Sequence, residues 1–259
     1  MAGIQVAVLC LLLAVQLQLV EPRALRLSSR IQGRVIGGSK ASIDDYPWTL
    51  ALMYGGYHQC GASIIGTQWA LTAAHCVSSY KTPYQSLYTV RAGSSSRISG
   101  GTVLDVAEVY EHEQHNSFSG DYDITVLRID GSFPLGAKIS VINLPEDGYD
   151  PPTGLAVTIA GWGLTETDAP VFILRKVDIS VRDRSACVFP NVGREVTPRM
   201  LCAGETGKSV CHGDSGSALV SGSTQVGIVS WGSGVCTLGG AVYVNVGNLR
   251  SWVTGITGI

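Results

Sequence analysis

The sequence predicts an all-β protein of two six-stranded antiparallel barrels followed by a C-terminal helix. Three observations lead there. Glycine is abundant, with 32 in 259 residues, and only 15% of residues are charged. Short runs rich in Val, Ile and Thr recur between Gly, Ser and Pro turns, which suits strands better than helices. The runs fall into two sets of six around a proline-punctuated stretch, and closing each set into a barrel removes exposed edges.

The first set is "TLALMY", "ASIIG", "WALTAA", "LYTVRAG", "TVLDVAEVY" and "DITVLRI", from Thr49 to Ile129. Residues 131–154 hold Pro134, Pro145, Pro151 and Pro152 and read as a surface linker. The second set is "LAVTIAGW", "ILRKVDISV", "RMLCAG", "SALVS", "QVGIVSW" and "AVYVNV". The last segment, "NLRSWVTGI", offers Asn248 as an N-cap and spaces Leu249, Trp252 and Val253 helically. The expected division is an N-terminal barrel over about 35–135, a C-terminal barrel over about 150–246, and a helix over about 248–257.

Residues 1–20 are apolar, interrupted by glutamines, and polar "EPRALRLSSR" follows without a second apolar span. This pattern fits a secretory signal peptide better than a membrane anchor. Cys10 would leave with it, so six cysteines remain: Cys60, Cys76, Cys187, Cys202, Cys211 and Cys236. In a secreted chain they read as three disulfides, with many pairings open from spacing alone. Zinc is disfavoured because no tight ligand pair such as C-x-x-C occurs. Residues 1–34 hold four Arg and one Glu, so the remainder has 14 basic and 19 acidic residues, near −5. Without a basic cluster, nucleic acid is not an expected partner. No N-x-[ST] acceptor is present.

"HGDSGSALV", His212 to Val220, poses the chemical question. A serine nucleophile needs a base, a carboxylate to orient that base, and donors for the oxyanion. Ser215 follows Gly213, which would let the Gly213 and Ser215 N–H groups face one oxygen. His75 in "ALTAAHC" ends an apolar run beside a cysteine, a rigid place for a base. Asp123 enters an apolar strand and therefore needs a hydrogen-bonded partner, whereas Asp121, next to Gly120, reads as solvated. His112 and His115 in "EHEQH" miss the H-E-x-x-H spacing and read as loop or strand-end residues. His58 and His212 have no visible orienting partner.

"RVIGG", "LTAAHC", "DITVL", "AGWG", "CHGDSG" and "SWG", in that order, resemble the chymotrypsin-like (trypsin-fold) serine endopeptidases from about Val35 onward. The resemblance implies that family's established mechanism. His75 would be the base, Asp123 its orienter and Ser215 the nucleophile, with Gly213 and Ser215 N–H groups as the oxyanion hole. Ser230 would support Asp123, and the backbone of Ser230 to Gly232, Trp231 included, would pair with an extended substrate. Implied disulfides are Cys60–Cys76, Cys187–Cys202 and Cys211–Cys236, each closing a loop worth roughly 3 kcal/mol. Residues 21–34 would be an activation propeptide. Cleavage after Arg34 by a trypsin-like protease would free the Val35 amine to pair with Asp214, making the chain a zymogen.

At the base of the specificity pocket, trypsin-like members carry Asp and this chain carries Ser209. A neutral base disfavours Lys and Arg before the cut. Gly232 leaves the pocket entrance open, while Ala241 and Val210 narrow its depth. Cleavage after Phe, Tyr or Leu is therefore expected, with elastase-like cleavage after small apolar residues as the alternative. Ser217 and Ala218 replace the family's usual Gly-Pro. Were φ positive at 217, the Cβ would cost about 1 kcal/mol of strain, and a catalytically inactive homologue acting by binding is the third reading. No cofactor or metal is implied; "SSSRISGG" lacks the acidic residues of calcium-binding members. Expected partners are protein or peptide substrates, the activating protease and protein inhibitors, for an extracellular monomer without membrane contact.

Overall fold

The computed structural model describes residues 37–78, 84–164, 171–189, 192–236 and 239–259. The expected signal peptide, propeptide, Arg34 and Val35 lie outside them. Thirteen strands are present among the described residues. After β1 (Ser39–Lys40), the strands β2 (Thr49–Tyr54), β3 (Tyr57–Ile64), β4 (Trp69–Thr72), β5 (Tyr88–Ala92), β6 (Thr102–Glu111) and β7 (Thr125–Ile129) close a barrel in the order β2-β3-β4-β7-β6-β5. The second group is β8 (Ala156–Gly161), β9 (Arg175–Arg182), β10 (Met200–Ala203), β11 (Ala218–Ser221), β12 (Thr224–Gly232) and β13 (Ala241–Asn245). It runs β9-β10-β13-β12-β11-β8 and closes through β8–β9, with β1 added at the edge of β9. All barrel pairings are antiparallel.

Strand alternation explains the cores. In β9, Arg175–Arg182, alternate residues Val177, Ile179 and Val181 are buried with Val157, Ile159 and Tyr243 in the second barrel. Leu50, Leu52, Val90, Val126 and Leu127 fill the first. Helix α1 (Arg250–Thr257) packs Val253 into the same cluster, with Leu249 just ahead of it. The expected cap fails: Leu249 occupies the N-cap position, and Asn248 instead donates its N–H to Asn245 Oδ1 at 3.3 Å. Among the described residues no helix is long and apolar enough to cross a membrane.

Four register shifts adjust the ladders, two of them at the site. In β12 the register shifts between Val229 and Trp231, which face the consecutive residues Tyr243 and Val242. Ser230 is the extra residue, and its hydroxyl turns to Asp123. In β3 the shift between Cys60 and His58 sets His58 against Gly213. The barrels meet where Gly61 faces Ser217. A Cβ on Gly61 would collide with Ser217 Oγ and lie 3.0 Å from its Cα. That approach lets the Gly61 N–H donate to the Ser215 carbonyl at 2.7 Å.

Candidate active site

His75 sits in the short 3-10 turn Ala74–Cys76 that ends β4, pinned by the Cys60–Cys76 disulfide. Its Nδ1 lies 2.7 Å from Asp123 Oδ2, and its backbone N–H donates to Asp123 Oδ1 at 2.8 Å. A carboxylate only accepts, so Nδ1 carries the proton and Nε2 is left for the cleft. Ser230 Oγ donates a third bond to Asp123, at 2.5 Å. Burial alone would lift Asp123 and lower His75. The attraction of each for the other's charge and these bonds overcome it, leaving Asp123 below and His75 above their ordinary values.

The loop before Asp123 is tethered across the barrels. Asp121, which the sequence suggested was solvated, accepts from Arg199 Nε at 2.9 Å and Nη2 at 2.5 Å, and from Thr197 Oγ1 at 3.0 Å. The Arg199 guanidinium also lies 4.7 Å from the Tyr122 ring centre. Tyr122 has φ of 54°, the single positive φ outside glycine among the described residues. Such a backbone is costly for a bulky residue. The Asp121 tether and stacking on His112, 4.6 Å between ring centres, hold it between Asp121 and Asp123.

Ser215 is half-buried and lines the same cleft as His75. Around it, Asp214, Gly216 and Ser217 donate their N–H groups to the carbonyls of Cys211, Val229 and Asp214. The N–H groups of Gly213 and Ser215 have no acceptor among the described residues, as donors waiting for an oxyanion would. Gly213 has φ of +93°, a value only glycine adopts freely. His58, unassigned from sequence, lies 3.1 Å through Nε2 from the Gly213 carbonyl. Burial pushes its pKa down to about 4, so it stays neutral and donates that proton, orienting the loop. Its signal in the sequence is only its place two residues before Cys60.

Asp214 is fully buried and accepts from Gly163 N–H at 2.8 Å and Cys211 N–H at 3.1 Å. Burial still pushes it up to about 6, and no cation faces it among the described residues. Ser217 is also fully buried, but its φ is not positive, so the strain expected there does not arise. Instead its Oγ is buried without a partner among the described residues, filling the space beside Gly61 and Gly161.

A cavity of about 460 Å³ runs from His75 and Ser215 over Ser209, Val210, Gly232 and Ala241. Ser209, Val210 and Ala241 are buried, and Gly232 pairs with Ala241 across β12 and β13. Asp123 is the one carboxylate in its described lining, and its oxygens are taken by His75 and Ser230. The disulfides are Cys60–Cys76, Cys187–Cys202 and Cys211–Cys236. Cys60, Cys76 and His75 cluster closely, but sulfurs joined in a disulfide have no thiolate to offer a metal.

One more histidine approaches the aspartate. His115 Nδ1 lies 2.7 Å from Glu111 Oε1, and its buried Nε2 lies 3.7 Å from Asp123 Oδ1. The sequence indicates only a loop or strand-end position for it, because the chain's spacing does not reveal that Asp123 lies beside it.

The chain matches known proteins along most of its length. The Trypsin family profile covers residues 35–253. Trypsin alpha-4 of Lucilia cuprina is 37% identical over 229 residues, spanning 86% of this chain and 88% of that protein. Hypodermin-B of Hypoderma lineatum is 36% identical over 231 residues, 87% of this chain and 88% of its own. Among solved structures, neuropsin, a serine protease expressed in the limbic system of mouse brain, superposes with a TM-score of 0.75 at 29% identity, covering 84% of this chain and 97% of that one. A scabies mite inactivated protease paralogue superposes with a TM-score of 0.80 at 25% identity, covering 86% and 97%. The chain belongs to the trypsin family of serine proteases.

Proposed function

We propose that the chain is a secreted serine endopeptidase, made as a zymogen and activated by cleavage after Arg34, that cuts after large apolar or aromatic residues. The observation that carries this reading is the His75 imidazole held by Asp123 in a cleft with Ser215 and two unengaged amides. In the proposed reaction Ser215 Oγ attacks the scissile carbonyl carbon while His75 Nε2 takes its proton. The oxyanion accepts from Gly213 and Ser215 N–H. The imidazolium then protonates the leaving amine as the C–N bond breaks, and water repeats the sequence on the acyl-enzyme.

Two observations support activation by cleavage. Asp214 is a buried carboxylate without a cation among the described residues, a situation that an inserted Val35 ammonium would relieve. The chain also enters beside the pocket: a Cβ on Gly37 would collide with the Gly207 carbonyl, two residues before Ser209. The neutral Ser209 and the absence of a free carboxylate in the described lining favour an apolar residue before the cut. The methyl of Ala241 and the side chain of Val210 favour the second reading, elastase-like cleavage after small residues.

Peptide anilides differing only at P1, with Phe, Leu, Ala and Arg, test the proposal before and after brief trypsin treatment. Hydrolysis that appears only after cleavage at Arg34 and is highest on Phe or Leu supports it. A maximum on Ala moves the specificity to the second reading. A maximum on Arg, or no hydrolysis with a confirmed Val35 terminus, overturns it.

A further inference from the structure

Beyond the pocket for the residue before the cut, the cavity continues along a wall of Gly120, Arg194 and Trp231. The Arg194 guanidinium carbon lies 5.4 Å from the Trp231 ring centre, and Nη2 donates to the Ser117 carbonyl at 3.1 Å. Ring and carbonyl hold the head in place without neutralising it. Among the described residues no carboxylate lies within ion-pairing distance of Arg194. Apart from histidines, the described lining has two charged side chains, Arg194 and Asp123. Because Asp123 is buried and bonded to His75 and Ser230, the charge open to a ligand is positive.

Glycine at 120 keeps this wall uncovered. Its φ is +74°, and a Cβ there would stand 2.8 Å from Trp231 and 3.3 Å from Arg194 Nη1. The last pairing of β11 with the far part of β12 is Ala218 with Ile228, so beyond Val229 the Ser215 side of β12 has no strand beside it. An extended peptide added there, with its P1 residue at Ser230, runs past Trp231 and Gly232. Its upstream side chains alternate across that path and pass Arg194.

We infer that Arg194 is a specificity-determining residue that selects substrates carrying Asp or Glu two to four positions before the scissile bond. This deepens the proposed peptidase function and rests on it. The substrate class becomes acidic peptides with an apolar P1 residue. Long-range attraction of such peptides into a cleft is sensitive to salt.

The test uses the full chain cleaved after Arg34 and quenched peptides with Phe at P1, carrying Glu, Ala or Lys in turn at P2, P3 and P4. Glu should exceed Lys by about tenfold in kcat/KM at one or more of these positions. The ratio should shrink in 1 M salt and reverse in Arg194→Glu. Ratios within about twofold, or a Glu preference that survives Arg194→Glu, overturn the inference. If no peptide is cleaved, the peptidase reading fails, and anisotropy of the same labelled peptides on a Ser215→Ala variant still decides the point. Tighter binding of Glu than Lys peptides that reverses in the Arg194→Glu/Ser215→Ala double variant sustains the inference. Equal affinities, or no binding at all, overturn it.

Discussion

His75 Nδ1 stands 2.7 Å from Asp123 Oδ2, with the histidine side chain 37% exposed and the aspartate 3% exposed. The exposed partner can exchange protons with a substrate while the buried one holds its orientation. The His75 pKa is held above its ordinary value: burial lowers it, but the Asp123 charge and hydrogen bond raise it more. In the proposed reaction His75 must be neutral, so kcat/KM should rise with pH along an acid limb centred above the ordinary histidine range. Asp123→Asn removes both raising influences and leaves burial, so the limb should move to lower pH. A loss of about 10⁴-fold in kcat is already established for this change in the family. Stopped-time assays between pH 5 and 9 check both; a limb that does not move would show that Asp123 does not set the basicity of His75.

Asp214 gives a pH dependence of stability with its own sign. Its folded value of about 6 exceeds the ordinary 3.8, so the folded state binds the proton more tightly than the unfolded chain. The stabilisation is present below about pH 4 and is lost as pH rises through about 6, amounting to about 3 kcal/mol. The uncleaved chain should therefore lose more stability between pH 4 and 7 than the chain cleaved after Arg34, in which the Val35 ammonium would favour the carboxylate. Urea unfolding of both forms at the two pH values measures the difference. Identical pH dependence would mean that Asp214 gains no cation on cleavage.

Ser209, buried in the cavity lining and proposed as the pocket base, gives a specificity prediction. Ser209→Asp places an anion in a buried, narrow site, where only a cationic side chain compensates it. Hydrolysis after Lys or Arg should rise at least about tenfold relative to Phe, read from kcat/KM on matched anilides. An unchanged ratio would remove Ser209 from the pocket base.

The contact of Gly61 with Ser217 couples the two barrels. Gly61→Ala drives a methyl into Ser217 Oγ and toward its Cα and should cost about 3 kcal/mol. Adding Ser217→Gly removes the hydroxyl, which lacks a partner among the described residues, and should return about 1–2 kcal/mol of it. Strictly additive effects in thermal or urea unfolding would show that the hydroxyl is not the obstacle.

Features within one segment were legible in the residues themselves, and features that join distant segments were legible only where the family resemblance implied them. Alternation in "RKVDISV" reveals a barrel strand because neighbouring residues carry the signal. The order of His75, Asp123 and Ser215 is legible because each sits in a distinctive short motif. Asp121 looks solvated next to Gly120 because its partner Arg199 is 78 residues away. The resemblance implied that Ser230 supports Asp123, but the bulge that delivers its hydroxyl depends on the β13 register and was not legible. His58 meets Gly213 across 155 residues. Asn248 has the chemistry of a cap, yet Asn245, three residues back, accepts its N–H and the helix begins later, with Leu249 at the N-cap.

The most direct measurement is covalent labelling of the chain cleaved after Arg34 with an organophosphonate, followed by peptide mass mapping. The account predicts one adduct, on Ser215, that is lost in His75→Ala and absent from the uncleaved chain. No adduct on a chain with a confirmed Val35 terminus, or an adduct on another serine, would contradict it.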